Sequence, residues 1–260
     1  MTIKFDLTEP NNAYFYGFAQ ADGHLSESTR NRGRLSIELN IRDKPLLEQF
    51  AKLLPVGSSL KERVRSTNFK KDSHTAILNI FDWEFRELLK GLGFGVGKKC
   101  HSVSPPKTTS KVDYIRGLID ADGSLGMTGT GIPFISLTTQ SEAVKEYVLD
   151  FYFEVTGRRY SPNRNSRDNI YNLMATCEHA QKIIKTLYYD EAICLTRKKG
   201  TSVETLAWIR PANRALKPQS KRWTTSEDEI VKSLPKEQAA KSLNRTLSSI
   251  QNRRFRLGVL

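Results

Sequence analysis

The hydrophobic rhythm changes period along the chain, and each change marks an element. Tyr14, Phe15 and Phe18, and again Tyr114, Ile115 and Leu118, recur at spacings of three and four, which predicts a helix in each segment. Further on, Leu35, Ile37, Leu39 and Ile41 alternate with Arg34, Ser36, Glu38, Asn40 and Arg42, the two-residue period of a half-buried antiparallel strand. Ile135 and Leu137 repeat that rhythm after the second helix, with Ser136 and Thr138 facing the other way. Amphipathic helices are expected next, one from Asp43 (Leu46, Leu47, Phe50, Leu53, Leu54) and one from Ser141 (Val144, Tyr147, Val148, Phe151). Asp43 and Ser141 are both suited to N-capping.

The two helical segments are copies of each other. Phe15-Tyr16-Gly17-Phe18-Ala19-Gln20-Ala21-Asp22-Gly23 is echoed in register by Ile115-Arg116-Gly117-Leu118-Ile119-Asp120-Ala121-Asp122-Gly123, with Ala-Asp-Gly closing both. In each, the final glycine is expected to end the helix. Small residues at Gly17 and Gly117, with Ala21 and Ala121 one turn on, let two such helices meet almost backbone to backbone. Asp22 and Asp122 then lie side by side. Carboxylates that close repel unless a divalent cation bridges them, so the pair points to hard metal ions and metal-assisted phosphodiester cleavage. The plainer reading is a pair of helix ends where aspartate is merely tolerated, and it must explain the repeat by chance.

Charge narrows the partner. Lysine and arginine number 41 against 28 acids, a net charge of +13, which implies a polyanion, nucleic acid before an anionic membrane. Basic side chains gather where an open sheet face is expected: Arg30, Arg32 and Arg34, then Lys61, Arg63 and Arg65, and in the second half Arg158, Arg159, Arg164 and Arg167. A charged outer sheet face without a ligand is the plainer alternative. Cys100, Cys177 and Cys194 are odd in number and far apart, as are His24, His74, His101 and His179, so neither a disulfide framework nor a zinc site is expected. His24 reads as an exposed loop residue and Trp83 as core packing. The opening MTIKFDLTEP has no apolar run, and no later stretch is long and apolar enough for a membrane helix, so no export signal and no membrane partner are expected.

The charge is also uneven. Residues 210–260 carry 12 basic and 4 acidic residues, +8, which leaves 29 − 24 = +5 for residues 1–209. Residues 210–222, RPANRALKPQSKR, read as a basic linker. Beyond it, Trp223 and the run Thr224-Thr225-Ser226-Glu227-Asp228-Glu229 start a helix that is expected to end near Leu234-Pro235. A second helix, 236–243, buries Ala239, Ala240 and Leu243. After a turn at Asn244-Arg245, Thr246 caps a third that buries Leu247, Ile250 and Leu257. The third exposes Ser248, Ser249, Gln251, Asn252, Arg253, Arg254 and Arg256, as a helix entering a major groove does, and the segment is similar to Myb/SANT-type helix-turn-helix modules. A protein-binding three-helix module is the alternative.

Residues 10–205 resemble a single-chain LAGLIDADG homing endonuclease, with the two Ala-Asp-Gly helices as its signature helices. The resemblance implies an α+β fold of two pseudo-symmetric αββαββα repeats, residues 1–105 and 106–209, forming a saddle on DNA; residues 223–260, on their own pattern, are expected to add a small all-α helix-turn-helix domain. It implies Mg²⁺ or Mn²⁺ held by Asp22 and Asp122, joined by the Ala21 and Ala121 carbonyls, and hydrolysis of both strands of double-stranded DNA at a long specific target. A monomer is expected, since one chain supplies both halves, in a cytoplasmic bacterial, phage or organellar compartment with access to DNA. Family members usually add one lysine per repeat, and Lys98 and Lys198 each follow their aspartate by 76 residues (98 − 22 and 198 − 122), with Lys99 and Lys199 as neighbours. A solvated basic loop is the plainer reading of these lysines. Gln20 departs from Asp120 at a position the family varies, and the water-orienting polar residue aligns near Ile41 and Thr139, next to Gln140. Two other functions share the scaffold: a DNA-binding transcription regulator that does not cut, and a maturase that assists splicing of intron RNA.

Overall fold

The computed structural model describes residues 3–29, 32–66, 72–97, 103–165, 167–212 and 223–259. Contacts divide the chain into two units, Met1–Ile209 and Arg210–Leu260. In the first unit the order is α1 (Pro10–Asp22), β1 (His24–Glu27), β2 (Gly33–Asn40), α2 (Lys44–Leu53), β3 (Ser58–Arg65), β4 (Ser73–Ile80) and α3 (Trp83–Gly91). It continues with α4 (Lys111–Asp122), β5 (Gly123–Met127), β6 (Pro133–Thr139), α5 (Glu142–Thr156), β7 (Tyr171–Thr176), α6 (Cys177–Leu187) and α7 (Thr196–Leu206). Among the described residues no helix is long and apolar enough to cross a membrane.

α1 and α4 lie at the centre. Every residue from Ala13 to Gln20 and from Asp113 to Asp120 is buried, because each helix packs on its partner as well as on its own half of the core. Glycine permits the contact: a Cβ at Gly17 would fall on the Tyr114 carbonyl, and one at Gly117 on the Tyr14 carbonyl and 2.6 Å from the Phe18 nitrogen. Gly23 and Gly123 do end the helices, but in extended backbone (φ −79° and −91°) and not in the left-handed conformation usual for a glycine stop. Crowding is what selects glycine at 123, where a Cβ would stand 2.8 Å from the Ser136 carbonyl oxygen.

The strands form two antiparallel sheets, β1-β2-β4-β3 and β5-β6-β7. The register of the first puts Leu35, Ile37 and Leu39 beside Ile80, Leu78 and Ala76 on the core face. Ile41 does not continue that strand: it enters a 3-10 turn, Ile41–Asp43, where the Asn40 side chain accepts from the Arg42 amide. Asp43 precedes α2 without a side-chain cap, whereas Ser141 caps α5 by accepting from the Val144 amide. Trp83 is 47% exposed and so is not core packing, and His24 lies in β1, not in a loop.

The first half follows the expected αββαββα order. The second does not, because residues 158–165 (RRYSPNRN) form no strand, leaving β7 as the edge. Gly157 ends α5 in the left-handed conformation, and the segment lacks alternation and contains Pro162, which has no amide to donate to a ladder.

The second unit contains α8 (Thr225–Ser233), α9 (Lys236–Ser242) and α10 (Leu247–Arg256) around Val231, Ala239, Ala240 and Ile250. Thr224 and Glu227 form a reciprocal capping box, and Thr246 caps α10. So small a core is supplemented by charge: Arg245 stacks 3.9 Å from the Trp223 ring and pairs with Glu227 at 3.0 Å. Leu247, expected to be buried, is 50% exposed because it occupies the first turn of α10, ahead of the buried Ile250.

Candidate active site

Asp22 and Asp122 are the last residues of α1 and α4, so the pairing of these helices carries the two exposed carboxylates together. The Asp22 carboxyl is held above the usual carboxylate range. Desolvation by the surrounding protein is the largest cause and the charge of Asp122 adds to it, while Lys198 and Arg197 pull the other way. Arg197, which sequence reasoning missed, also donates to Asp43 at 3.2 Å. Ala21 and Ala121 are partly buried against the core beside their aspartates. Among the described residues no three His, Cys, Asp or Glu side chains cluster, so the donors on offer are two carboxylates with main-chain carbonyls. Such an all-oxygen set, whose mutual repulsion a cation would relieve, has the chemistry of a site for a hard divalent ion such as Mg²⁺ or Mn²⁺.

The layer beneath is built by a cross-helix exchange. The Tyr14 hydroxyl of α1 donates to Asp120 of α4 at 2.8 Å, and the Tyr114 hydroxyl of α4 donates to Gln20 of α1 at 2.6 Å. Asp120 also accepts from the Tyr188 hydroxyl (2.6 Å) and the Leu195 amide (2.8 Å), and its burial raises its pKa. Gln20 instead donates to the Ser104 carbonyl at 3.0 Å, which a carboxylate is unable to do. The difference between Gln20 and Asp120 therefore follows from what each must satisfy in the interior.

Lys198 is buried in α7, so the solvated-loop reading does not describe it. Its ammonium donates to the carbonyls of Ile119, Asp120 and Gly123, closing the C-terminal end of α4 next to Asp122. Burial brings its pKa down to about 8, against the opposing pull of Asp120. Lys199 turns away and donates to the Tyr188 and Tyr189 carbonyls at 3.0 and 2.8 Å. Lys98, Lys99 and Cys100 lie outside the described residues, as does Arg30. A cavity of about 360 Å³ opens beside Asp122, lined among others by Gln20, Ala21, Thr138, Thr139 and Gln140. Thr139 and Gln140 thus reach the site, while Ile41 in its 3-10 turn does not line this cavity.

The sheet registers place the remaining candidates. Arg34, Ser36, Glu38 and Asn40 of β2 share the face opposite the core with Lys61, Arg63 and Arg65 of β3, through their partners Asn79, Ile77 and Thr75 on β4. On it Ser36 donates to Asn79, and Glu38 pairs with Arg65 at 3.4 Å. Arg32 is exposed just ahead of β2. Ser136 and Thr138 occupy the corresponding face of β6. Arg158, Arg159, Arg164 and Arg167 are on no strand: Arg158 stacks on Tyr160, Arg159 on Phe153, Arg164 on Tyr171, and Arg167 pairs with Asp168. In α10, Ser248, Gln251 and Asn252 are exposed and Ser249 half-buried. Arg253, however, is held by Asp228 at 2.6 Å and lies over Trp223, so its guanidinium braces the unit internally.

The paired helices carrying two antiparallel sheets are the α+β LAGLIDADG fold, and residues 9–93 match the family model described as a LAGLIDADG-like domain. Variants of the homing endonuclease I-DmoI share the fold with a TM-score of 0.51 at 14% identity, over 76% of this chain and 99% of that one. The DNA-bound homing endonuclease I-LtrWI (TM-score 0.46, 13% identity, 76% of this chain and 89% of that one) and the N-terminal LAGLIDADG domain of WhiA (0.45, 15%, 80% and 86%) are more distant likenesses. No curated protein matches the chain.

Proposed function

We propose that this protein is a metal-dependent endonuclease that cuts both strands of double-stranded DNA at a long, specific site, in the manner of a homing endonuclease. The observation that carries the reading is the convergence of Asp22 and Asp122 at the ends of two helices locked together at Gly17 and Gly117. Bound Mg²⁺ or Mn²⁺ supplies activation of water and charge stabilisation at the scissile phosphate. Asp22 and Asp122, with the Ala21 and Ala121 carbonyls, are the residues that would hold it. Lys198 is assigned a positioning and electrostatic role: its ammonium donates hydrogen bonds to three carbonyls, so it fixes the end of α4 and keeps positive charge beside the aspartates. Lys98 is assigned the matching role by its equal spacing from Asp22. Because one chain carries both halves, a monomer is complete.

The exposed faces of the two sheets are the proposed DNA-contacting surface of the first unit. The second unit, read as a helix-turn-helix domain, extends the contact to flanking DNA through Ser248, Ser249, Gln251 and Asn252 of α10. Asp22→Asn or Asp122→Asn is expected to abolish double-strand cleavage while DNA binding persists, and either variant cutting at the wild-type rate would refute the assignment. One observation favours a second reading, a regulator that binds DNA without cutting: the Lys198 ammonium donates to three main-chain carbonyls. DNA bound but never cut with any divalent ion would decide for it.

A further inference from the structure

The open faces of the two sheets differ in kind. On the first, Arg34, Lys61, Arg63 and Arg65 are exposed on one side of β2 and β3, and among the described residues Arg34, Lys61 and Arg63 have no ion-pair partner. On the second, the same side of β6 and β7 presents Phe134, Ser136, Thr138, Asn172, Met174 and Thr176, and strands β5, β6 and β7 contain no Lys, Arg, Asp or Glu at all. Asn172, Thr138 and Thr176 are exposed and Met174 is 38% exposed, so the neutral face is not sealed by packing. The arginines of the second half are in α4 (Arg116), in residues 158–167 and in α7 (Arg197), all off the sheet.

Base edges in the major groove are chemically distinct. Arginine and lysine suit the O6 and N7 acceptors of guanine, asparagine suits adenine N6 and N7, and apolar groups suit the thymine methyl. We propose that the two sheets read half-sites of opposite base character, the first guanine-rich through Arg34, Lys61 and Arg63, the second adenine- and thymine-rich through Asn172, Met174 and Phe134. The inference rests on the DNA-binding reading above and adds an orientation: the asymmetry of the target fixes which repeat covers which half. It also separates two energetic terms. Neutral side chains release no counterions, so salt dependence within the first unit's sheets belongs to the cationic one.

The test is selection of randomised duplexes by binding to the full-length chain in Ca²⁺, with no cleavage step, for wild type, Lys61→Gln/Arg63→Gln and Asn172→Ala/Met174→Ala. All four positions are exposed, and matching melting curves verify folding. The expected wild-type motif has one guanine-rich and one A·T-rich half. The first variant should lose about tenfold discrimination at positions of the guanine-rich half and show a shallower salt slope; the second should lose about tenfold in the other half with the slope unchanged. Two halves of equal composition would overturn the inference. So would a first variant that binds every sequence uniformly less well, which would make the cations phosphate contacts only. Both outcomes leave DNA binding standing, whereas the absence of any selected motif would remove the site-specific reading as well.

Discussion

The ends of α1 and α4 carry the same Ala-Asp-Gly sequence and, among the described residues, are held in different ways. Beneath Asp122, the buried Asp120 gathers three donors from Tyr14, Tyr188 and Leu195, and Lys198 closes the helix end on three carbonyls. Beneath Asp22, Gln20 makes one bond to Tyr114 and one to Ser104. What the repeats share is set by backbone proximity, where only glycine fits. What they do not share is set by polar satisfaction, where each half solves its own accounting of donors and acceptors.

Substitutions can break that comparison. The largest stability loss is expected from Asp120→Ala, which leaves Tyr14, Tyr188 and the Leu195 amide without their acceptor; about 3–5 kcal/mol in chemical denaturation is expected. Gly17→Ala and Gly117→Ala should each cost about 3 kcal/mol, because either Cβ forces the helices apart. Equal losses at the two glycines and unequal ones at 20 and 120 would sharpen the contrast. Gln20→Ala is expected to cost only about 1–2 kcal/mol, and a loss equal to that of Asp120→Ala would break it.

Lys198 gives a smaller, pH-dependent effect. Its pKa falls from 10.5 unfolded to about 8 folded, so between these values the unfolded chain binds more protons and its contribution to stability rises with pH. Relative to Lys198→Met, the wild type should therefore gain of order 1–3 kcal/mol from pH 8 to pH 10.5, and a parallel pH profile would contradict the burial of this ammonium. A separate effect, on binding and not on folding, is expected from removal of residues 210–260, which should weaken DNA binding most at low salt and flatten its salt dependence. An unchanged slope would count against contact by the second unit.

Much of this was legible in the sequence where a physical period or a repeat carries the information. The two central helices, the alternation of β2, and the close approach at Gly17 and Gly117 all follow from spacing alone. The missing strand at 158–165 was hidden because Arg158, Arg159 and Arg164 suggest a basic face, while Pro162 and the absent alternation speak against a ladder. The reason for Gln20 in place of aspartate is not legible because its partner Ser104 is 84 residues away. The spacing of Lys198 from Asp122 marks it as the family-type lysine but conveys nothing about its burial. The internal role of Arg253 is not legible because Asp228, which holds it, lies 25 positions earlier.

The most direct test of paired aspartates as a cleavage centre is digestion of a randomised duplex library by the purified protein with and without Mg²⁺, sequencing the ends, with Asp22→Asn alongside. The expected ends share one long site and vanish both without metal and with the variant. Ends that persist in Asp22→Asn, or DNA that is bound and left uncut with every divalent ion, would contradict paired aspartates as a cleavage centre.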